Sequence, residues 1–270
     1  MKQNKFKMKK VYFIAFLTLV GFTEVNAQQD PHYTQYMYNM SVMNPAYAGS
    51  KENISGGLLY RKQWVELEDA PTTGTFFLHS PVGRNVGLGF SAKVDFDVIR
   101  PTLPNPADEA FGQNPNATFF NLGSGVFYYT NKYYLSFSMP NMLKATYLDF
   151  SGKKYGTENL HYFLTGGYVF DLNPNLKFKP FAMVKSSINA PTSVDLSTNF
   201  LFNEKIELGA TYRLQDSFGA MVNFAITPSL RIGYAYDHVV SDLDIATPSS
   251  HEFMLLFDIS SSKKVSQSPR

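Results

Sequence analysis

The feature that most constrains this chain is an alternation of apolar with small or polar residues, recurring in nearly every stretch after residue 52. In KIELGATYRL (205–214), Ile206, Leu208, Ala210, Tyr212 and Leu214 share one face, against Glu207, Gly209, Thr211 and Arg213. In FGAMVNFAI (218–226), Phe218, Ala220, Val222, Phe224 and Ile226 oppose Gly219, Met221, Asn223 and Ala225. LRIGYAYD (230–237) and HEFMLLFDI (251–259) repeat the pattern, with Leu230, Ile232, Tyr234 and Tyr236, then Phe253, Leu255, Phe257 and Ile259, on the apolar side. Period two with one apolar face is a half-buried strand. Twelve such segments are predicted, near 53–63, 72–80, 86–97, 118–130, 132–140, 160–171, 176–185, 194–202, 205–214, 218–226, 229–237 and 250–259. Many run to about 9–11 residues, the length of a tilted membrane strand.

The connections sort into two sets. With the N-terminus on the periplasmic side, the outer loops fall at 64–71, 98–117, 141–159, 186–193, 215–217 and 238–249. The inner turns fall at 81–85, 131, 172–175, 203–204 and 227–228. Five of the six outer loops are longer than any inner turn, the asymmetry of outer-membrane barrels. The faces opposite the apolar ones carry Gly, Ser, Thr, Asn and a few charges, which suits a polar lumen, and Phe and Tyr near strand ends suit an interfacial girdle. The expected fold is therefore all-β, a transmembrane antiparallel β-barrel. A soluble β-sandwich or a lipocalin-like barrel shares the alternation and is the alternative. The polar tail SSSKKVSQSPR follows the last strand, so the chain lacks the terminal aromatic residue typical of outer-membrane proteins.

The N-terminus agrees with export. MKQNKFKMKK is basic, VYFIAFLTLVGF is apolar, and Val25-Asn26-Ala27 supplies small residues at a cleavage-like site. The apolar run is shorter than the roughly 20 residues of a membrane-spanning helix. Residues 1–27 are expected to be a signal peptide, 28–52 an aromatic N-terminal segment, 53–260 the barrel and 261–270 a polar tail. Without residues 1–27, Lys+Arg falls from 24 to 19 and Asp+Glu from 22 to 21, a net charge of −2 that gives no footprint for nucleic acid. With no Cys, a lipid-anchored cysteine, disulfides and thiolate metal sites are excluded.

Motifs for chemistry are sparse. His32, His79, His161, His238 and His251 lack metal-pair spacing, His251-Glu252 lacks the second His of HExxH, and Gly123-Ser124-Gly125 is not GxSxG. No catalytic, cofactor or metal residue is assigned. A barrel-embedded lipid enzyme would need a Ser with His161 or His251; hydrogen bonding at the outer rim is the simpler role. Arg61, Arg213, Arg231, Asp237 and Glu252 face the lumen by parity. They would line a passive pore, pair across the lumen or hold a plug, because a buried unpaired charge is costly. Phe127 and Tyr129 also point inward and would narrow it. The segment QQDPHYTQYMYNMSVMNPAYAGS (28–50) holds four tyrosines and almost no charge, so it is a poor free tail. It is expected either to plug the barrel mouth or to bind a periplasmic partner. Tyr33, Tyr36 and Tyr38 would supply the contact surface, and Asn44, Pro45, Tyr47 and Gly49 its turn.

The residues DPHYTQYMYNMSVMNPAYAGS (30–50) resemble the N-terminal signature of the PorP/SprF family, outer-membrane proteins of the type IX secretion system of Bacteroidetes. RKQWV (61–65) with Ala70-Pro71, His79 and Pro81, LSFSMPNML (135–143), His161-Tyr162, PTSVD (191–195), GATYR (209–213), IGYAYD (232–237) and Ser250-His251-Glu252 fall in the family's order. The resemblance implies an outer-membrane barrel without catalysis. Its partners would be the C-terminal domain of a secreted adhesin or other cargo, periplasmic lipoprotein or ring subunits, and outer-membrane lipid. Arg61, Trp64 and the loops near Asp237 and His251 would then lie at the outer face. The resemblance implies fourteen strands, as members of the family are often described, against the twelve counted here, so a barrel of 12 or 14 strands is expected, and Tyr33–Asn39 and Lys144–Phe150 are the places for a further pair.

Overall fold

The structure, a computed structural model, describes residues 33–51, 53–66, 70, 72–82, 86–95, 122–143, 146–150, 153–157, 160–187, 190–240 and 249–259. The signal peptide, the start of the aromatic segment, the whole 98–117 loop and the polar tail lie outside the described residues. The strands are β1 (Ile54–Lys62), β2 (Thr72–Pro81), β3 (Gly87–Asp95), β4 (Ser124–Tyr129), β5 (Tyr133–Met139), β6 (Thr146–Phe150), β7 (Lys153–Thr157), β8 (His161–Tyr168), β9 (Phe170–Asn173), β10 (Leu176–Ser187), β11 (Ala190–Phe202), β12 (Ile206–Arg213), β13 (Ser217–Thr227), β14 (Leu230–Val239) and β15 (Ser249–Ile259).

Twelve of these strands form one antiparallel path, β3-β2-β1-β15-β14-β13-β12-β11-β10-β8-β5-β4, and correspond one to one with the twelve segments read from alternation. β9 continues β8 past Val169 and also pairs with β10. First and last strands meet in register, Ile54 opposite Ile259 through Lys62 opposite His251, which is how an up-and-down barrel joins its ends. At the other end of the path, β3 and β4 are not hydrogen-bonded to each other among the described residues. They converge on one turn of the N-terminal segment, described below.

Two expectations are corrected. Residues 186–193 are not a long loop: β10 runs to Ser187 and β11 starts at Ala190, with a register shift between Lys185 and Ser187. Pro191 has no N–H for a regular ladder and sits beside that irregularity, where strands tolerate proline. The candidate places for two more barrel strands do not supply them. Among the described residues β6 pairs only with β7, in a separate two-stranded sheet within the 141–159 loop. Tyr36–Tyr38 is a 3-10 turn. The inner turn at Asn203-Glu204 has φ of 49° and 57°, the two left-handed residues of a turn matched to strand twist.

The distribution of polarity excludes the soluble sandwich. Glu252, Asp195, Asn199 and Asn223 are fully buried, while Leu88 (66 %), Phe90 (64 %) and Val126 (67 %) lie open on the outer face. A water-soluble fold would reverse this; a barrel in lipid requires it. Along the inner rim, Tyr128, Tyr133, Tyr168, Phe170, Phe178 and Phe200 form a lane with successive ring centroids 4.2–6.2 Å apart. Aromatic rings at a membrane interface present an apolar body to lipid and, for Tyr, a hydroxyl to water. No described helix is long and apolar enough to cross a membrane.

Candidate functional site

The N-terminal segment runs inside the sheet. It comprises Tyr33–Gln35, the turn Tyr36–Tyr38, a helical turn Met40–Met43, a second 3-10 turn Pro45–Tyr47 and the bend at Gly49. It approaches every strand of the twelve-strand path at some point, and it is held at three levels.

At the level of the outer loops, charged residues at inward parity positions converge on Tyr33–Gln35. Thr34 N and Gln35 N each donate to the Glu252 carboxylate at 2.9 Å. The Thr34 hydroxyl donates to Asp237 Oδ2 at 2.5 Å and accepts from Arg61 Nη1 at 3.1 Å. Arg61 also donates to Asp237 (2.8 Å) and Glu252 (3.2 Å). Arg213 Nη2 donates to the Tyr33 carbonyl at 3.0 Å and, with Nε, to Asp195 at 3.0–3.1 Å. Two guanidinium groups thus face three enclosed carboxylates and a fourth, half-buried one, Asp216 at 3.2 Å from Arg213 Nη1, with peptide N–H groups satisfying the rest of Glu252. This is what a buried ionic network needs to persist.

At mid-height, Tyr33, Tyr36 and Met43 cluster with Leu59, Phe163, Phe181 and Met183. Beside them Lys179 Nζ bonds both Glu207 oxygens (3.0 and 3.1 Å), Asn199 Nδ2 donates to Glu207 at 2.9 Å and to Met37 Sδ at 3.0 Å, and Lys179 sits 5.4 Å from the Tyr38 ring centre. Burial, and then the Glu207 charge, hold the Tyr38 phenol protonated well above its usual range. Arg231 lies at the edge of this group, 3.9 Å from Glu207 and 22 % exposed.

Toward the seam, Asn44 donates to Ser136 Oγ (2.6 Å) and to the Val126 carbonyl (3.1 Å), and its own Oδ1 accepts from Ala46 N (2.9 Å). The Asn44 side chain packs directly on Gly125, where a Cβ would lie 2.2 Å from Oδ1. The Tyr47 ring lies between His79 of β2 (5.4 Å) and Phe127 of β4 (5.1 Å), bridging both ends of the path. Gly49, at φ +75°, comes so close to β3 that an added Cβ would sit 2.4 Å from Gly87 Cα.

The expected residues are thus divided. Arg61, Arg213, Asp237 and Glu252 do meet in the lumen, so Arg61 and Asp237 are enclosed and not offered at the outer surface. Tyr33, Tyr36 and Asn44 are buried, so they provide no exposed contact surface; within residues 33–51 only Pro45 and Ala46 are exposed. Trp64, at φ 48°, follows β1 at the outer rim and donates its N–H to Ser250 Oγ at 3.2 Å. His251 accepts or shares a hydrogen bond with Tyr234 OH at 2.7 Å, on the outward-facing side. Nor does the segment stay at the inner mouth: Tyr33–Gln35 sit at the opposite end from its junction with β1. Thr34, Gln35, Asp195, Lys179, Asn199 and Glu207 were not singled out from sequence. Parity alone marks the last four as inward, but nothing local shows what they meet.

The sequence profile of a family described as "Type IX secretion system membrane protein PorP/SprF" matches residues 25–95 and 92–257. No curated protein sequence matches. Among solved structures, the KdgM porin aligns with 7 % identity over 76 % of this chain and 98 % of its own, TM-score 0.43. An outer-membrane channel from Pseudomonas putida F1 aligns with 12 % identity over 86 % of this chain and 100 % of its own, TM-score 0.40. A mutant porin of Rh. blastica aligns with 12 % identity over 77 % and 99 %, TM-score 0.35.

Proposed function

The chain belongs to the PorP/SprF family of type IX secretion system membrane proteins, and from that premise we propose that it is a non-enzymatic outer-membrane component that docks a partner of that system. The partner is either the C-terminal domain of a secreted protein such as a surface adhesin, at the outer face, or periplasmic lipoprotein and ring subunits, at the inner face. The family match over residues 25–257 carries the reading. A second observation favours docking over passive permeation. The lumen is occupied by the chain's own residues 33–49, which leaves the two rims and the exposed Pro45-Ala46 as the surfaces on which a partner can be received. Export by the N-terminal signal, with cleavage near Ala27, brings the chain to the outer membrane.

Affinity purification from native membranes followed by mass spectrometry tests the reading. Recovery of a large surface protein supports the cargo role, and recovery of ring subunits supports the link to the motor. Deleting the gene should abolish secretion or surface display of that partner. Intact secretion together with intact gliding would refute the proposal.

A further inference from the structure

Residues 33–35 are held as a ligand is held. Four side chains from four strands, Arg61 of β1, Arg213 of β12, Asp237 of β14 and Glu252 of β15, converge on three consecutive residues, and each of the four is at least 96 % buried. Three of the bonds go to main-chain atoms: the N–H groups of Thr34 and Gln35 on Glu252, and the Tyr33 carbonyl on Arg213. Any L-residue other than proline presents these atoms. Of the three side chains, only the Thr34 hydroxyl bonds to these four residues, between Asp237 and Arg61, while the Tyr33 and Gln35 side chains are buried beside it. Nothing covalent joins residues 33–50 to the wall except the single chain connection into β1. We propose that these four residues form a peptide-binding site in the lumen, selective for a bent tripeptide with a central Thr or Ser. The chain's own N-terminal segment fills it in cis, and the bound segment seals the barrel to ions.

The chemistry of the site fits that class of ligand. A carboxylate that takes two successive N–H groups selects a bent main chain, in which neighbouring N–H groups point the same way, and a guanidinium on the preceding carbonyl fixes its register. A side chain without a hydroxyl at position 34 would remove one of the two donors on Asp237 Oδ2, leaving only Arg61 Nη2. Below the site, Tyr36 and Met43 pack in the apolar cluster and Asn44 bonds Ser136.

The test uses the full chain, folded before it is cut. A protease recognition sequence is inserted between Lys51 and Glu52, and the folded protein in detergent is cleaved there. The N-terminal fragment is expected to remain with the barrel through gel filtration and to dissociate in high salt. In planar bilayers the uncut and the cut, unwashed protein should be silent. The salt-stripped barrel should show steady ionic conductance, which a synthetic peptide of residues 28–50 abolishes. The same peptide carrying Thr34→Val should block about ten- to a hundredfold less well, from the loss of hydrogen bonds to charged groups. As a second measure that needs no cleavage, full-length Thr34→Val should flicker between closed and conducting states. Steady conductance of the intact wild-type chain, silence of the stripped barrel, or equal block by the native, Thr34→Val and scrambled peptides would overturn the proposal. Conductance is read independently of secretion, so its outcome is separate from that of the docking role.

Discussion

Arg61 is the residue whose removal tests the lumenal network most directly. Its guanidinium donates to Asp237, Glu252 and Thr34 at 2.8, 3.2 and 3.1 Å. Counted singly, three hydrogen bonds to or from charged groups at about 1.5–3 kcal/mol each would sum to more than 4 kcal/mol. The loss is smaller, because Glu252 keeps two peptide N–H donors and Asp237 keeps the Thr34 hydroxyl. What dominates is the charge left behind. Arg61, Arg213, Asp195, Asp237 and Glu252 together carry −1, and Arg61→Met makes that −2 in an enclosed space. Breaking a buried pair by removing one partner costs about 3–5 kcal/mol, and that is the expected destabilisation. Arg61→Met with Asp237→Asn returns the cluster to −1. The double variant should therefore be more stable than the sum of the single effects implies, by about 1–3 kcal/mol. Urea unfolding from lipid vesicles, followed by the fluorescence of Trp64, the only tryptophan, provides the measurement. A loss under about 1 kcal/mol for Arg61→Met, or additivity of the two changes within about 0.5 kcal/mol, would refute the account of the cluster as a coupled ionic network.

Two further outcomes follow from the packing. Gly49→Ala should destabilise by about 2 kcal/mol or more, because φ is +75° and the new Cβ meets the Gly87 backbone at 2.4 Å, whereas Gly166→Ala, whose Cβ would have ordinary contacts from 3.5 Å, should fall within about 1 kcal/mol of wild type; urea midpoints of the two decide it. Leu208→Arg, on the outward face of β12, should cost about 2–4 kcal/mol in a bilayer, and a neutral result would contradict the lipid-facing assignment of that strand.

The wall of the barrel was legible because its information is local. Ile206, Leu208 and Tyr212 announce an outward face, and Glu207 and Arg213 an inward one, through spacing alone, and each such strand is found where the alternation put it. The exception is instructive. Residues 186–193 looked like a loop because Pro191 and Asn189 interrupt the pattern, yet β11 absorbs the proline at an irregular register. The path of the N-terminal segment was not legible. Its anchors are polar residues that read as unremarkable in sequence: Thr34 lies 203 residues from Asp237, and Asn44 lies 92 from Ser136. Inward parity could nominate Arg61, Asp237 and Glu252 as a group needing partners. Only the fold shows that the partner is a main chain from the far end of the polypeptide. Gly87 and Gly125 gave no warning either, since a glycine in a strand marks a close approach without saying to what.

The bond from Thr34 to Glu252 spans 218 residues, nearly the whole folded part of the protein. Glu252 belongs to the strand made last, and that strand must already lie against β1 before the carboxylate can point at Thr34. Seating of the earliest residues is thereby made conditional on arrival of the latest ones. A polypeptide that stalls or is truncated short of β15 keeps a loose, aromatic leading end, and a proteolytic surveillance system could distinguish finished from unfinished copies by that end alone.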